Sequence, residues 1–208
     1  MLFRLSFAAP FVYSVRGATA VSVRSRQLRD RIKRGDQVLM EQIADHVADL
    51  VAQDAFPGFF GPDVILVPVP SHAPAAPGAV GTTARIAVAL YERGLAAGIA
   101  PVLERTTLVA KSAFSAPAQR PRAQEHYDSL TVRTGLAGIA RVLLVDDFVT
   151  RGATLIGAAS RVCADHGGLA VKAFALVRSM TEGDVATIRY PCTGSIEMLA
   201  NGETQRVP

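Results

Sequence analysis

The chain has 208 residues, 50% of them hydrophobic and 19% charged, a balance that excludes extended disorder and suits one packed domain with at most a small added lobe. Lysine and arginine total 22 against 18 acidic residues, a formal charge of +4, which fits a polyanionic ligand, either a phosphate compound or nucleic acid. Cys163 and Cys192 stand apart from the histidines and exclude a cysteine-based zinc site; no run reaches the ~18 apolar residues of a membrane span, so a cytoplasmic protein without membrane association is expected.

Residues 2–15 read as one or two strands rather than a signal peptide, because Arg4 interrupts the apolar run. Residues 16–36 carry seven basic side chains against Asp30 and Asp36; the stretch is either a solvated face or a surface for phosphate or nucleic acid. Val38, Leu39, Ile43, Val47, Leu50 and Val51 recur at helical spacing and predict a helix over 37–53. Val64–Val69 is an apolar, β-branched run, the signature of a strand covered on both faces. Prolines 68, 70, 74 and 77 delay the next helix to about 79–97, and a strand follows at 101–108. Residues 110–128 are polar and without a period, too long for an ordinary connection, and read as a functional or mobile loop.

The clearest unit comes next. Val142–Val145 is a buried-type strand, Asp146–Gly152 a turn, and Leu155, Ile156, Ala159, Val162 and Cys163 one face of a helix that Gly167 and Gly168 end. Val171–Val177 is a further strand, with weaker strand signals at 185–190 and 195–199. Alternating apolar strands and helices predict an α/β fold, an open and mostly parallel sheet flanked by helices. Residues 1–60 are expected to form an N-terminal hood and basic segment, and 61–208 the core.

Asp146 and Asp147 fall at the carboxyl end of the predicted strand, the edge where open α/β sheets bind ligands. Adjacent like charges there are costly unless hydroxyls, a metal or cations receive them. The turn that follows supplies Thr150, Arg151, Gly152, Ala153 and Thr154 at a helix start, where unpaired amides and the helix dipole favour an anion. Gly152 removes a side chain that would hinder close approach. A reader of vicinal hydroxyls beside a monophosphate cradle describes a 5-phosphoribosyl group.

The segment Val142-Leu143-Leu144-Val145-Asp146-Asp147-Phe148-Val149-Thr150-Arg151-Gly152-Ala153-Thr154 closely resembles the phosphoribosyl pyrophosphate signature of type I phosphoribosyltransferases. Ile32-Lys33-Arg34-Gly35-Asp36 before a helix, and Val67-Pro68-Val69-Pro70-Ser71-His72, resemble the layout of the ComF-like, competence-associated branch. The resemblance implies the type I phosphoribosyltransferase fold with a small hood. It also implies transfer of a phosphoribosyl group from phosphoribosyl pyrophosphate to a nitrogenous base or amine, with release of pyrophosphate. In it, Asp146 and Asp147 hold ribose hydroxyls and Mg2+, directly or through water, and residues 150–154 hold the 5-phosphate. Val69, Pro70, Ser71 and His72, with Arg120 and Arg122, meet pyrophosphate, and Lys111 closes over it from the loop. Related folds are often homodimers, and the sequence leaves the oligomeric state open. The chain departs from that branch in lacking a four-cysteine module, in the apolar run Ala73-Pro74-Ala75-Ala76-Pro77-Gly78, and in placing Arg151 where a small hydroxyl residue is common. His72 is either a pyrophosphate contact or a solvent-facing loop histidine, and His126 is expected to order the loop. The alternative to catalysis is a non-catalytic binder of phosphoribosyl pyrophosphate or a nucleotide, with 16–36 on nucleic acid.

Overall fold

The computed structural model describes residues 1–76, 78–110, 121–133, 135–180 and 183–207. Among these residues, seven strands form one sheet in the order β3-β2-β6-β7-β1-β8-β9. β1 is Arg4–Ser14, β2 Gly61–Pro68, β3 Ala96–Ile99, β6 Arg141–Val149, β7 Ala170–Met180, β8 Arg189–Met198 and β9 Thr204–Val207. β3, β2, β6, β7 and β1 run parallel; β8 and β9 are added antiparallel. The chain is therefore an α/β protein with an open, mostly parallel sheet flanked by helices, as its apolar strand runs predict.

Alternate residues of the central strands feed two cores, one on each face. On one face Phe174, Leu143 and Val145 pack with Ile32 of α1 (Ala20–Arg34), Met40 and Ile43 of α2 (Gln37–Ala52), and Ile86 and Leu90 of α3 (Thr82–Glu92). On the other, Leu144, Val142 and Phe7 pack with Leu155, Ile156 and Val162 of α5 (Ala153–Asp165). That face also carries a two-stranded ribbon, β4 (Leu103–Arg105) with β5 (Leu130–Val132), joined to the short helix α4 (Ala123–Asp128). Each of these large side chains, wholly removed from water, stabilises the fold by roughly 1.5–3 kcal/mol.

The structure corrects several expectations. Residues 16–36 hold a helix, α1, whose apolar side is narrow; Thr19 caps it by accepting from Ser22 N–H, and basic residues 31, 33 and 34 favour its carboxyl end. Asp36 then caps α2 by accepting from Leu39 N–H. The expected helix over 79–97 ends at Glu92 because Gly94 takes a left-handed conformation, φ 70°, and the chain enters β3. The boundary expected at residue 60 is not a break in packing. β1 lies inside the sheet between β7 and β8, and Ile32, Leu39 and Met40 share one core with Leu143 and Phe174.

α4 is held tightly to α5. A Cβ on Gly157 would lie 2.7 Å from the Ala123 carbonyl oxygen and 2.7 Å from His126 Cβ. Arg161, one turn on, donates twice to the Tyr127 carbonyl and stacks 4.0 Å above its ring. Replacing Gly157 by valine should therefore push α4 off α5. The expected result is a stability loss of about 1–3 kcal/mol from overpacking, with faster hydrogen exchange at the amides of 123–128 than at those of β7.

Candidate functional site

β6 continues through the acid pair, so Asp146 and Asp147 are strand residues and project to opposite faces of the sheet. This corrects the expectation of two acids sharing one turn. Asp147, buried, faces α1, where Lys33 binds its carboxylate and lies 5.0 Å above the Phe148 ring. Asp146 faces the α5 side and lines a cleft. Its carboxylate accepts the Asp147 amide at 2.8 Å. Burial, and next the charge of Asp147, push the Asp146 carboxyl up to about 8, with Lys33 opposing. Asp146 keeps part of its surface open to the cleft, so it is a deep but reachable acid.

The cleft holds about 610 Å3 of space, part of it open to solvent. Its floor and wall are residues 146 and 148–155, closed on the far side by Pro121, Arg122, Glu203 and Thr204. No side chain caps α5, and its first internal bond runs from Ile156 N–H to the Gly152 carbonyl. The amides before Ile156 at the helix start are thus without intrahelical partners and lie along the cleft. Arg206 of β9 donates to the carbonyls of Thr150 and Ser179, so protein takes up the carbonyl side of the turn. Among the described residues no group of three or more His, Cys, Asp and Glu could hold a metal by itself.

Gly152 lines the cleft and also has a packing role in the fold. Its φ is 96°, and an added Cβ would meet Ile196 side-chain carbons at 2.5, 2.7 and 2.8 Å. The glycine lets β8 close on the turn. Thr150, Arg151, Ala153 and Thr154 line the cleft with it. Arg151 stands 3.8 Å from Glu203, a surface pair of little intrinsic strength.

Other expected residues are distributed differently. Val69 is core, its amide bonded to the Val145 carbonyl, so it runs beside the acid strand without exposing its side chain. Pro70, Ser71 and His72 follow it but do not line the cleft. His72 accepts the Val109 amide through its carbonyl. Arg122 borders the cleft, while Lys111 and Arg120 lie outside the described residues. The basic stretch 16–36 is largely committed within the protein: Arg26 bonds the Ser14 and Gly17 carbonyls, Arg29 bonds Tyr13 and Asp30, Arg31 pairs with Asp36, and Lys33 with Asp147.

Sequence reasoning missed a buried polar network beside the cleft. Arg105 is only 3% exposed; it donates to the Ser71 carbonyl and the Ser129 hydroxyl. Burial lowers its pKa and the Asp146 charge opposes that. His126, also 3% exposed, places Nε2 3.3 Å from Thr154 Oγ1. An arginine between Leu103 and apolar chain was the available signal, since buried arginines are rare without a partner. Glu203 and Arg206 gave none, because β9 has no clear strand pattern.

Two outcomes follow. In the absence of divalent cations, the raised Asp146 pKa makes the folded state hold a proton that the unfolded chain releases near pH 4, so stability should fall as pH rises from about 4 to about 8. Asp146→Asn should flatten that decline, measured as urea midpoints across pH. Gly152→Ala should cost about 1–3 kcal/mol of stability from left-handed backbone strain and the Ile196 clash, read from thermal unfolding.

Comparison with known proteins is sparse. No family model matches the chain, and no curated protein does. Among solved structures, a hypoxanthine phosphoribosyltransferase from Staphylococcus aureus is similar over 75% of this chain and 71% of its own, with 10% identity and a TM-score of 0.40. A likeness that distant carries no weight for fold or function.

Proposed function

We propose that the chain is a phosphoribosyltransferase of the type I fold, nearest the competence-associated branch, that binds phosphoribosyl pyrophosphate at the Asp146–Leu155 cleft and passes the phosphoribosyl group to a nitrogenous acceptor. The observation that carries this reading is one cleft joining a deep carboxylate, Asp146, to the uncapped start of α5. A carboxylate accepts the two ribose hydroxyls, and bare amides with the helix dipole receive the 5-phosphate. The two features are the two ends of one ligand.

In this mechanism Thr150, Ala153 and Thr154 bind the phosphate through amides and hydroxyls. Arg151 adds charge by leaving Glu203. Asp146 orients the ribose so that the anomeric carbon faces the acceptor while pyrophosphate departs. Position, charge and exclusion of water supply the rate as positive charge builds on the ring. Arg105, which grips the Ser71 carbonyl, holds the loop of Val69, Pro70, Ser71 and His72 beside that charge. Asp147 stays neutralised by Lys33. The donor chemistry fits Mg2+: Asp146 is a carboxylate short of a cation, and this ion takes one or two protein carboxylates with water and phosphate oxygens completing its shell. When bound it would neutralise the leaving pyrophosphate; Asp147 would join it only by releasing Lys33.

One observation favours a second reading, a binder without turnover. Ser71 and His72 do not line the cleft, and residues 73–76 and 78 bring no basic side chain to a leaving group. Both readings are tested by incubating the protein with phosphoribosyl pyrophosphate, Mg2+ and a panel of purine and pyrimidine bases and amines. The enzyme reading expects pyrophosphate release with at least one acceptor, abolished in Asp146→Asn. Tight binding of phosphoribosyl pyrophosphate with no release on any acceptor selects the binder. Equal binding by parent and Asp146→Asn removes both.

A further inference from the structure

The imidazole of His126 meets Thr154 from behind the first turn of α5, on the side away from solvent. Its Nε2 is 3.3 Å from Thr154 Oγ1, while its Nδ1 is buried with no hydrogen-bond partner among the described residues. The surroundings hold the ring in place: the His126 carbonyl accepts from Ser129 Oγ, and Ser129 in turn accepts from Arg105. Gly157 lets the His126 Cβ approach the α5 backbone.

A threonine in a helix ordinarily donates its hydroxyl proton to the carbonyl four residues back. Thr154 is the second residue of α5, so the residue four back, Thr150, lies ahead of the helix and offers it no helical carbonyl of that kind. Among the described residues no carbonyl accepts from Thr154; its side-chain contact is His126. The direction of that one bond therefore decides what Thr154 shows the cleft. If Nε2 carries the proton, it donates to Oγ1 and leaves the hydroxyl proton free for an anion. If Nδ1 carries it, Oγ1 donates to Nε2 and turns lone pairs toward the cleft, and a buried Nδ1–H is left without an acceptor.

We infer that His126 is a positioning residue, whose Nε2–H holds Thr154 Oγ1 so that the threonine hydroxyl donates into the cleft, to the phosphate of a sugar phosphate. The orphaned Nδ1 supports this tautomer, because a bare buried acceptor costs less here than a bare buried donor beside the cationic Arg105. Burial and then Arg105 also push the imidazole pKa down to about 4, so one proton is shared between the two nitrogens at neutral pH. The inference rests on the cleft being a phosphate site and adds a residue outside the signature segment that sets its donor count.

The test uses the full chain and two probes. Nitrogen-15 NMR of the imidazole in the ligand-free protein should show Nε2–H; an Nδ1–H tautomer overturns the inference whatever the protein binds. Calorimetric titration with ribose 5-phosphate then compares His126→Gln, whose amide nitrogen reaches the Nε2 position, with His126→Asn, whose amide stops at Nδ1. His126→Asn should weaken binding about tenfold, the loss of one hydrogen bond to a charged group. His126→Gln should recover most of it, and His126→Asn should add nothing in a Thr154→Val background. Equal affinities for the Gln and Asn variants, or additive losses with Thr154→Val, overturn the inference. A parent chain that binds no ribose 5-phosphate while showing the Nε2–H tautomer overturns the phosphate reading of the cleft instead, and the role given to His126 with it.

Discussion

Two ionised carboxylates on consecutive residues of a buried strand repel each other, and the whole site follows from how the fold resolves that repulsion. The pleat sends Asp147 to one face and Asp146 to the other. Asp147 meets an ammonium, Lys33, which α1 delivers across the carboxyl edge of the sheet. Asp146 meets no cation that close. The more distant charge of Lys33 and the amide of Asp147 compensate it only in part against burial and the charge of Asp147, so it holds its proton well above the usual carboxylate range. One acid is settled and the other is left in want of a partner, and the unsettled one faces the cleft. A site built this way draws on binding to relieve a strain that folding leaves in place.

The neighbours of Asp146 extend the same logic. The start of α5 contributes amides that no side chain caps among the described residues, and Arg206 occupies the carbonyls on the opposite side of the turn. Negative demand at Asp146 and positive supply at the helix start lie in one cavity. Glu203, which shares that cavity, holds Arg151 through a weak surface pair rather than a buried one.

The parts of the fold readable from sequence were those in which one physical term dominates. Val64–Val69, Val142–Val145 and Val171–Val177 are apolar on both sides because both sides are covered, and they became β2, β6 and β7. The signature segment placed Asp146 and Thr150–Thr154 along one cleft. Other features depend on partners distant in the chain. Helix α1 was hidden because its polar side chains, Ser22 and Ser25 among them, are buried by packing rather than by hydrophobicity. The opposite orientation of the two acids depends on how far β6 extends, which local composition leaves open. The packing role of Gly152 was not legible because Ile196, forty-four residues away along the chain, could not be seen to press on it. Arg105 and His126 come together only through the ribbon and α4, whose contacts with α5 are entirely tertiary.

The position of β1 has a consequence for how the molecule is made. β1 precedes both of its neighbours in the chain and lies between β7 and β8, with Phe7 beside Ala173 on one edge and Gly194 on the other. A nascent chain thus carries an apolar strand with both edges open until most of the polypeptide has emerged, and the closing pairings span more than 160 residues of sequence. Such long-range closure is slow and leaves unpaired edges exposed to other chains. The turn along the cleft shares this dependence, since Arg206 of β9 bonds the Thr150 carbonyl from fifty-six residues away.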